Sequence, residues 1–159
     1  MSTLANYFDQ DGYALRRAIE NDVPSLVSII NEAYSYQDEA KGSPRTNPEH
    51  LLKRMGETEL YALVKSESIV GCVYLKAMDD SLHFGLLTLI PGMRKTGLGK
   101  ALMTAIIAYA SNKPYTHLEL DYMSLAPWLK RYYEQYGFRE TGEVTRWGSI
   151  DLIGMRKTL

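Results

Sequence analysis

The sequence predicts a single α/β domain on a mixed sheet, with elements in the order β-α-α-β-β-β-α-β-α-β-β. Three observations carry that prediction. Residues 60–90 hold three apolar runs parted only by Ser66-Glu67-Ser68 and Asp79-Asp80-Ser81, the spacing of antiparallel hairpins. The third run stops at Pro91 and feeds a glycine-bearing loop, then a helical pattern, then another strand, which is the order of a crossover. The chain has 159 residues, 45% of them hydrophobic, and no internal repeat, low-complexity tract or linker, so residues 1–159 read as one domain with one full core.

The elements follow in order. Residues 1–11 are largely polar and read as a short flexible tail. Residues 13–19 alternate well enough for a first strand. Asp22 precedes Val23-Pro24, an N-cap with proline in the first turn, and Val23, Leu26, Val27, Ile30 and Tyr34 recur at helical spacing to about residue 35. Residues 35–46 are polar and loop-like. Asn47-Pro48 opens a second, short helix that ends near Gly56. Strands are expected over residues 60–65, 69–78 and 83–90. Leu98, Leu102, Ala105, Ile106 and Tyr109 then share one helix face, and the helix stops around residues 111–114. A strand over 117–123, a helix over 127–136 and two closing strands over 138–144 and 150–157 complete the chain.

Composition narrows the function classes. The net charge of −1 provides no basic field for nucleic acid, so the cations near residue 95 are a local feature. Cys72 is the only cysteine, which excludes an internal disulfide and a cysteine-based zinc site. It sits in an apolar run and reads as a buried thiol. His50 and His117 have no metal-ligand spacing, and no metal is expected. The first ten residues lack the basic-then-apolar order of a signal peptide, and no apolar stretch approaches a membrane span. The expectation is a cytoplasmic protein with no membrane partner.

The segment from Leu89 to Gly99, Leu-Ile-Pro-Gly-Met-Arg-Lys-Thr-Gly-Leu-Gly, is the most informative in the chain. A strand, a glycine-rich basic loop and a helix N-terminus together present unpaired N–H groups and a positive dipole end to an anion. Gly97 and Gly99 let the main chain approach a phosphate closely. Arg94, Lys95 and Lys100 add charge. A P-loop is excluded because Leu98 stands where its lysine belongs, and a dinucleotide fingerprint because Leu102 replaces its third small residue.

Arg94, Gly97 and Gly99 spell Arg-x-x-Gly-x-Gly. With the preceding Leu87, Leu89 and Pro91, the segment resembles the acyl-CoA signature of the GNAT superfamily of N-acyltransferases. A second segment, Tyr133-Glu134-Gln135-Tyr136-Gly137-Phe138, resembles that family's Tyr-x-x-x-Gly-Phe. The resemblance covers essentially the whole chain and implies the GNAT fold. It also implies an N-acetyltransferase that moves an acetyl group from acetyl-CoA, its co-substrate, to a primary amine by direct attack in a ternary complex. The pyrophosphate would sit over Arg94, Lys95, Thr96, Gly97, Leu98, Gly99 and Lys100. The backbones of Leu87 and Leu89 would meet the pantetheine amides, which requires their strand to splay from the 117–123 strand, because a fully paired edge leaves no free groups.

By its place in the second segment, Tyr133 would be the acid for the departing thiolate, its phenol being protonated at neutral pH. A base for the incoming ammonium (pKa about 10.4 unperturbed) is left open among Glu119, Asp121, His83 and a water relay. One departure stands out. Many members carry an asparagine seven residues before the tyrosine, where this chain has Ala126.

In this fold residues 35–46 and 143–149 flank the acyl end. Tyr34, Tyr36, Asp38 and Glu39 offer aromatic walls and negative charge for a cationic amine, whereas Arg146 and Trp147 would suit a carboxylate. A small-molecule amine is the expected acceptor, with amino acid, polyamine, aminoglycoside and peptide N-terminus all open. Two other readings remain: a non-catalytic acyl-CoA-binding sensor of the same fold, and a protein lysine or N-terminal acetyltransferase. A homodimer through the last strands is common for the fold.

Overall fold

The structure, a computed structural model, describes residues 3–159. Residues 1 and 2, part of the expected tail, lie outside the described residues. Seven strands form one sheet in the order β1-β2-β3-β4-β5-β7-β6: β1 (Tyr13–Arg17), β2 (Glu59–Lys65), β3 (Ser68–Ala77), β4 (Ser81–Leu89), β5 (His117–Met123), β6 (Arg139–Trp147) and β7 (Ile150–Thr158). β1 to β4 form an antiparallel meander, β4 and β5 are parallel, and β7 pairs antiparallel with both β5 and β6. The helices are α1 (Val23–Ala33), α2 (Asp38–Lys41), α3 (Pro48–Glu57), α4 (Leu98–Ser111) and α5 (Trp128–Glu134).

This is the mixed sheet and element order read from the sequence, with one addition: α2, a single turn inside the segment expected to be loop. Asn47 caps α3 as expected, its side chain accepting from the His50 N–H at 2.8 Å. Asp22 makes no cap hydrogen bond to α1. Its carboxylate instead accepts from the Ile19 N–H at 2.8 Å and pairs with both terminal nitrogens of Arg16, at 2.7 and 2.9 Å.

Strand alternation splits the core into two layers, one on each side of the sheet. Val73 and Leu75 of β3, with Leu82 and Phe84 of β4, pack under α4 and α5. The expected α4 face of Leu98, Leu102, Ala105, Ile106 and Tyr109 is buried there in full. Cys72 and Tyr74 point the other way, into a smaller core with Leu26, Ile30 and Leu51 of α1 and α3. The expected tail is a correction from residue 4 onward. Leu4 is fully buried, Leu4–Tyr7 forms a 3-10 turn, and Tyr7 meets Tyr109 edge-on at 5.8 Å. The apolar groups of so short a segment carry no period, so its packing was invisible in the sequence.

Candidate active site

The site begins with a fault in β4. Across the same interval in which β3 advances from Cys72 to Tyr74, β4 advances from Gly85 to Thr88, so β4 bulges. Leu86 sits at the bulge with φ +52°, a conformation costing a side-chain-bearing residue about 1–2 kcal/mol. Its carbonyl is held by two donors, the Thr88 hydroxyl at 2.9 Å and the Cys72 thiol at 3.4 Å. Burial pushes the Cys72 thiol up to about 12, so it is a structural donor and not a nucleophile. The bulge reverses the facing of the strand. Phe84 faces the α4 core, Leu86 faces the α1 core, and Leu87 and Leu89 return to the α4 side.

Beyond the bulge, the sheet forks. Among the described residues β4 pairs with β5 only through Ser81, Leu82 and His83, opposite His117, Leu118 and Glu119. From Phe84 onward the edge of β4 that faces β5 is unpaired, which is the splay the sequence reading required. Tyr34, from the end of α1, reaches into this region and its hydroxyl donates to the Leu87 carbonyl at 3.4 Å.

A cleft of about 660 Å³ runs through the fork. One wall is Leu87, Thr88 and Leu89. The floor at one end is the glycine loop, with Arg94, Lys95, Gly97, Gly99 and Lys100 all lining it. Gly97 takes φ +86° as the N-cap of α4 and has no side chain to cap it; of the first N–H groups of the helix, that of Leu98 donates to the Thr96 hydroxyl at 3.4 Å. Gly99 has its own reason to be glycine. A Cβ there would lie 3.2 Å from the Tyr132 hydroxyl, so its absence lets α4 and α5 meet closely. Thr96 and Leu98 do not line the cleft with their side chains. The Thr96 hydroxyl donates to the Met93 carbonyl at 2.6 Å and closes the loop, and Leu98 is buried in the core. Ala126 is fully buried in the turn that opens α5.

The opposite wall is aromatic: Tyr132 and Tyr133 from α5 and Tyr136 from the turn after it. Tyr133 is buried, its ring edge-on to Tyr132, Phe138 and Phe84 at 5.1, 6.0 and 6.2 Å. Burial first, then the phenols of Tyr34, Tyr132, Tyr36 and Tyr136, hold its hydroxyl well above the usual range, so it is a neutral donor at every physiological pH. At the mouth, Tyr36 meets Trp128 edge-on at 5.8 Å and leans on Tyr34 at 6.0 Å.

Of the expected acceptor-side residues, Tyr34 and Tyr36 line the cleft and Glu39 does not; it is exposed on α2. Asp38 accepts from the Gln37 amide, and Arg146 is paired with Asp151 at 2.7 Å. The base candidates cluster beside the fork and are not part of the cleft wall. His83 Nε2 lies 3.8 Å from Asp121, stacks on Tyr74 at 6.2 Å, and is held below its usual range mainly by burial, while Asp121 and Glu119 oppose that shift. Glu119 pairs with Arg156 at 3.5 Å. Sequence reasoning missed Arg45 and Arg54, which flank Tyr34 and Tyr74. Nothing in their local sequence marks them.

Compared with known families, residues 30–159 match the one described as "Acetyltransferase (GNAT) domain". The chain belongs to the GNAT acetyltransferase family. Solved structures of the same fold agree with this assignment. A GNAT family acetyltransferase from Elizabethkingia anophelis with acetyl-CoA bound is 19% identical with a TM-score of 0.70, covering 94% of this chain and 100% of its own. The ribosomal-protein-S18-alanine N-acetyltransferase from Escherichia coli is 18% identical with a TM-score of 0.73, covering 92% and 93%. PaiA N-acetyltransferase from Thermoplasma acidophilum in complex with coenzyme A is 16% identical with a TM-score of 0.71, covering 92% and 99%. No curated protein sequence matches the chain. No helix among the described residues is long and apolar enough to cross a membrane.

Proposed function

We propose that the protein transfers an acetyl group from acetyl-CoA to the primary amine of a small molecule. The observation that carries this reading is the convergence, in one cleft, of an unpaired strand edge, a cationic glycine loop at a helix N-terminus, and a buried neutral phenol. The loop from Arg94 to Lys100 suits a pyrophosphate, with main-chain N–H groups as donors and Arg94, Lys95 and Lys100 as counter-charge. The free edge at Leu87 and Leu89 suits the amides of a pantetheine arm, whose thioester would then lie in the fork near Tyr133. Two of the similar structures are described with acetyl-CoA or coenzyme A bound, which supports this choice of donor.

The amine attacks the thioester carbonyl carbon, the carbon–nitrogen bond forms and the carbon–sulfur bond breaks. Of the two protons the ammonium loses, one goes to solvent and one ends on the departing sulfur. Tyr133 donates its hydrogen bond to that sulfur as charge builds there. Burial lowers the proton affinity of His83, so it is neutral near pH 7 and suited to relay the first proton through water to Asp121 and solvent.

A peptide or protein N-terminus is the second reading, because two similar structures are named for that activity. The turn between β6 and β7 favours the small acceptor. Ser149 donates to the Ala40 carbonyl at 2.7 Å, tying that turn onto α2 and narrowing the groove a chain would need. A cytoplasmic setting, with acetyl-CoA at hand, and a homodimer through the open edge strand β6 complete the proposal; sedimentation reads the dimer. The deciding test is thermal unfolding with and without acetyl-CoA, followed by free-thiol release with a panel of amines. A ligand at 100 times its Kd stabilises by about 2.7 kcal/mol. A shift with thiol release supports the enzyme, a shift without it for any amine or peptide moves the protein to the sensor reading, and no shift removes the cleft as an acyl-CoA site.

A further inference from the structure

Arg45 and Arg54 are partly buried, form no ion pair among the described residues, and each has an Nε that is buried without a hydrogen-bond partner. A guanidinium placed this way ordinarily has a carboxylate beside it, because an uncompensated buried charge is costly. Here aromatic side chains attend them, and Arg54 also hydrogen-bonds the Tyr74 hydroxyl. The Arg45 guanidinium lies between the rings of Tyr34 and Trp147, at 5.6 and 5.1 Å from their centroids. Arg54 lies over Tyr74 at 4.8 Å. The rings leave the planar fork edge of Arg45 available for a bidentate anion, with the Arg54 charge close by.

The position is built and not incidental. Thr46, the next residue, exchanges two hydrogen bonds with the Asn31 side chain of α1, at 2.9 and 3.1 Å, and Lys41 Nζ donates to the Arg45 carbonyl at 3.1 Å. Trp147, which covers Arg45, also carries the Lys41 ammonium at 4.8 Å. The positive field registers on a bystander: His50 is held below its usual range first by burial and then by Arg54, Arg45, Lys41 and Lys53. Neither arginine has a carboxylate partner in this segment: Asp38 accepts from Gln37, and Glu39 is exposed.

Tyr74 connects this cationic end to an acidic one. Arg54 covers its ring, and the ring also stacks on His83, which lies beside Asp121 where β4 leaves β5. The ring lies directly on Gly85, where a Cβ would come within 2.5 Å of it. The two ends thus suit a molecule with an anionic group at one end and an ammonium at the other.

We infer that the acceptor is a small amino acid whose carboxylate binds Arg45 and Arg54 while its amino group lies at the β4–β5 fork. This inference rests on the proposal that the fork is the site of acetyl transfer.

The test compares amino acids with their own carboxamides and with the corresponding decarboxylated amines, by thiol release with acetyl-CoA, in the wild type, Arg45→Gln, Arg54→Gln and Arg45→Lys. Melting curves with and without acetyl-CoA are recorded for each, and read the co-substrate site separately from the acceptor site. At least one amino acid is expected to exceed its carboxamide in kcat/KM by about tenfold or more. Each glutamine variant is expected to raise KM for that acid and remove the preference, with partial recovery in Arg45→Lys. Equal turnover of acids and carboxamides by the wild type overturns the inference, and so does acetylation of peptide N-termini alone. Stabilisation by acetyl-CoA with no response to any amino acid, in turnover or in melting, overturns it too while leaving the co-substrate site standing. If the variants do not fold, the wild-type comparison alone decides.

Discussion

Replacing Tyr133 by phenylalanine separates chemistry from stability at one atom. The change removes a hydroxyl that has no hydrogen-bond partner among the described residues and keeps the ring, with its edge-on contacts to Tyr132, Phe138 and Phe84. No buried partner is orphaned, so the stability change should stay within about 0.5 kcal/mol, in line with substitutions that create neither cavity nor unpaired group. At this chain length that is a Tm change of roughly 1–2 °C. Activity should respond on another scale. Loss of a positioned proton donor costs about 10²–10⁴ in rate, or roughly 2.7–5.5 kcal/mol of barrier. The assay is kcat by thiol release at saturating acceptor, with single-turnover kinetics to establish that chemistry limits the rate. Because burial holds the Tyr133 phenol far above its usual range, the wild-type profile should also show no alkaline loss from its ionisation through pH 10. Full turnover by Tyr133→Phe with chemistry rate-limiting refutes the assignment. A Tm loss of many degrees would instead mean the hydroxyl is a structural group.

Perturbations at three further positions have defined outcomes. Gly97 takes φ +86° with no atom near its absent Cβ, so Gly97→Ala should cost about 1–2 kcal/mol in chemical denaturation. Gly97→Glu should in addition weaken acetyl-CoA by about tenfold or more in a titration, through charge repulsion at the cradle. In Gly85→Ala the new Cβ would meet the Tyr74 ring at 2.5 Å, so the ring must leave its stack on His83; a loss of about 1–3 kcal/mol is expected by calorimetry. The hydrogen bond from Arg16 holds the Asp22 carboxyl below its usual range, so its stabilisation is present above the unfolded pKa of about 3.9 and is lost as pH falls through the lower folded value. The Tm gap between wild type and Asp22→Asn should therefore be constant above about pH 5 and close below about pH 4.

The parts of the site that were legible in the sequence are those whose chemistry is local. The glycine loop announces itself because strand, turn and helix start lie within a few residues of one another, whereas Tyr133 was singled out by the resemblance of its segment to the family's Tyr-x-x-x-Gly-Phe. The α4 face from Leu98 to Tyr109 follows from helical period alone. What was hidden depends on contacts between distant segments. Arg45 sits in a polar stretch that looks like solvated loop, and is half-buried in the structure, with Trp147, about a hundred positions away, against it. Arg54 looks like an ordinary cation on an amphipathic helix until Tyr74 is beneath it. Glu39 was read as facing the acceptor because its charge suited a cationic amine. The unforeseen turn of α2 points it to solvent instead. The positive φ of the bulge falls on Leu86 and not on the neighbouring Gly85, so the reversal of facing along β4 could not be read in advance.

The fork has a consequence for the integrity of the protein. Among the described residues the β4–β5 ladder has three residue pairs, so past them the sheet divides into a meander with α1 and α3 on one side and the β5-β7-β6 unit with α5 on the other. A pantetheine arm lying along the free edge of β4 would act as a non-covalent strut between these halves, supplying hydrogen bonds that the polypeptide leaves unmade. The proteolytic lifetime of such a protein would then follow the supply of its own co-substrate, rising when acetyl-CoA is plentiful and falling when it is scarce.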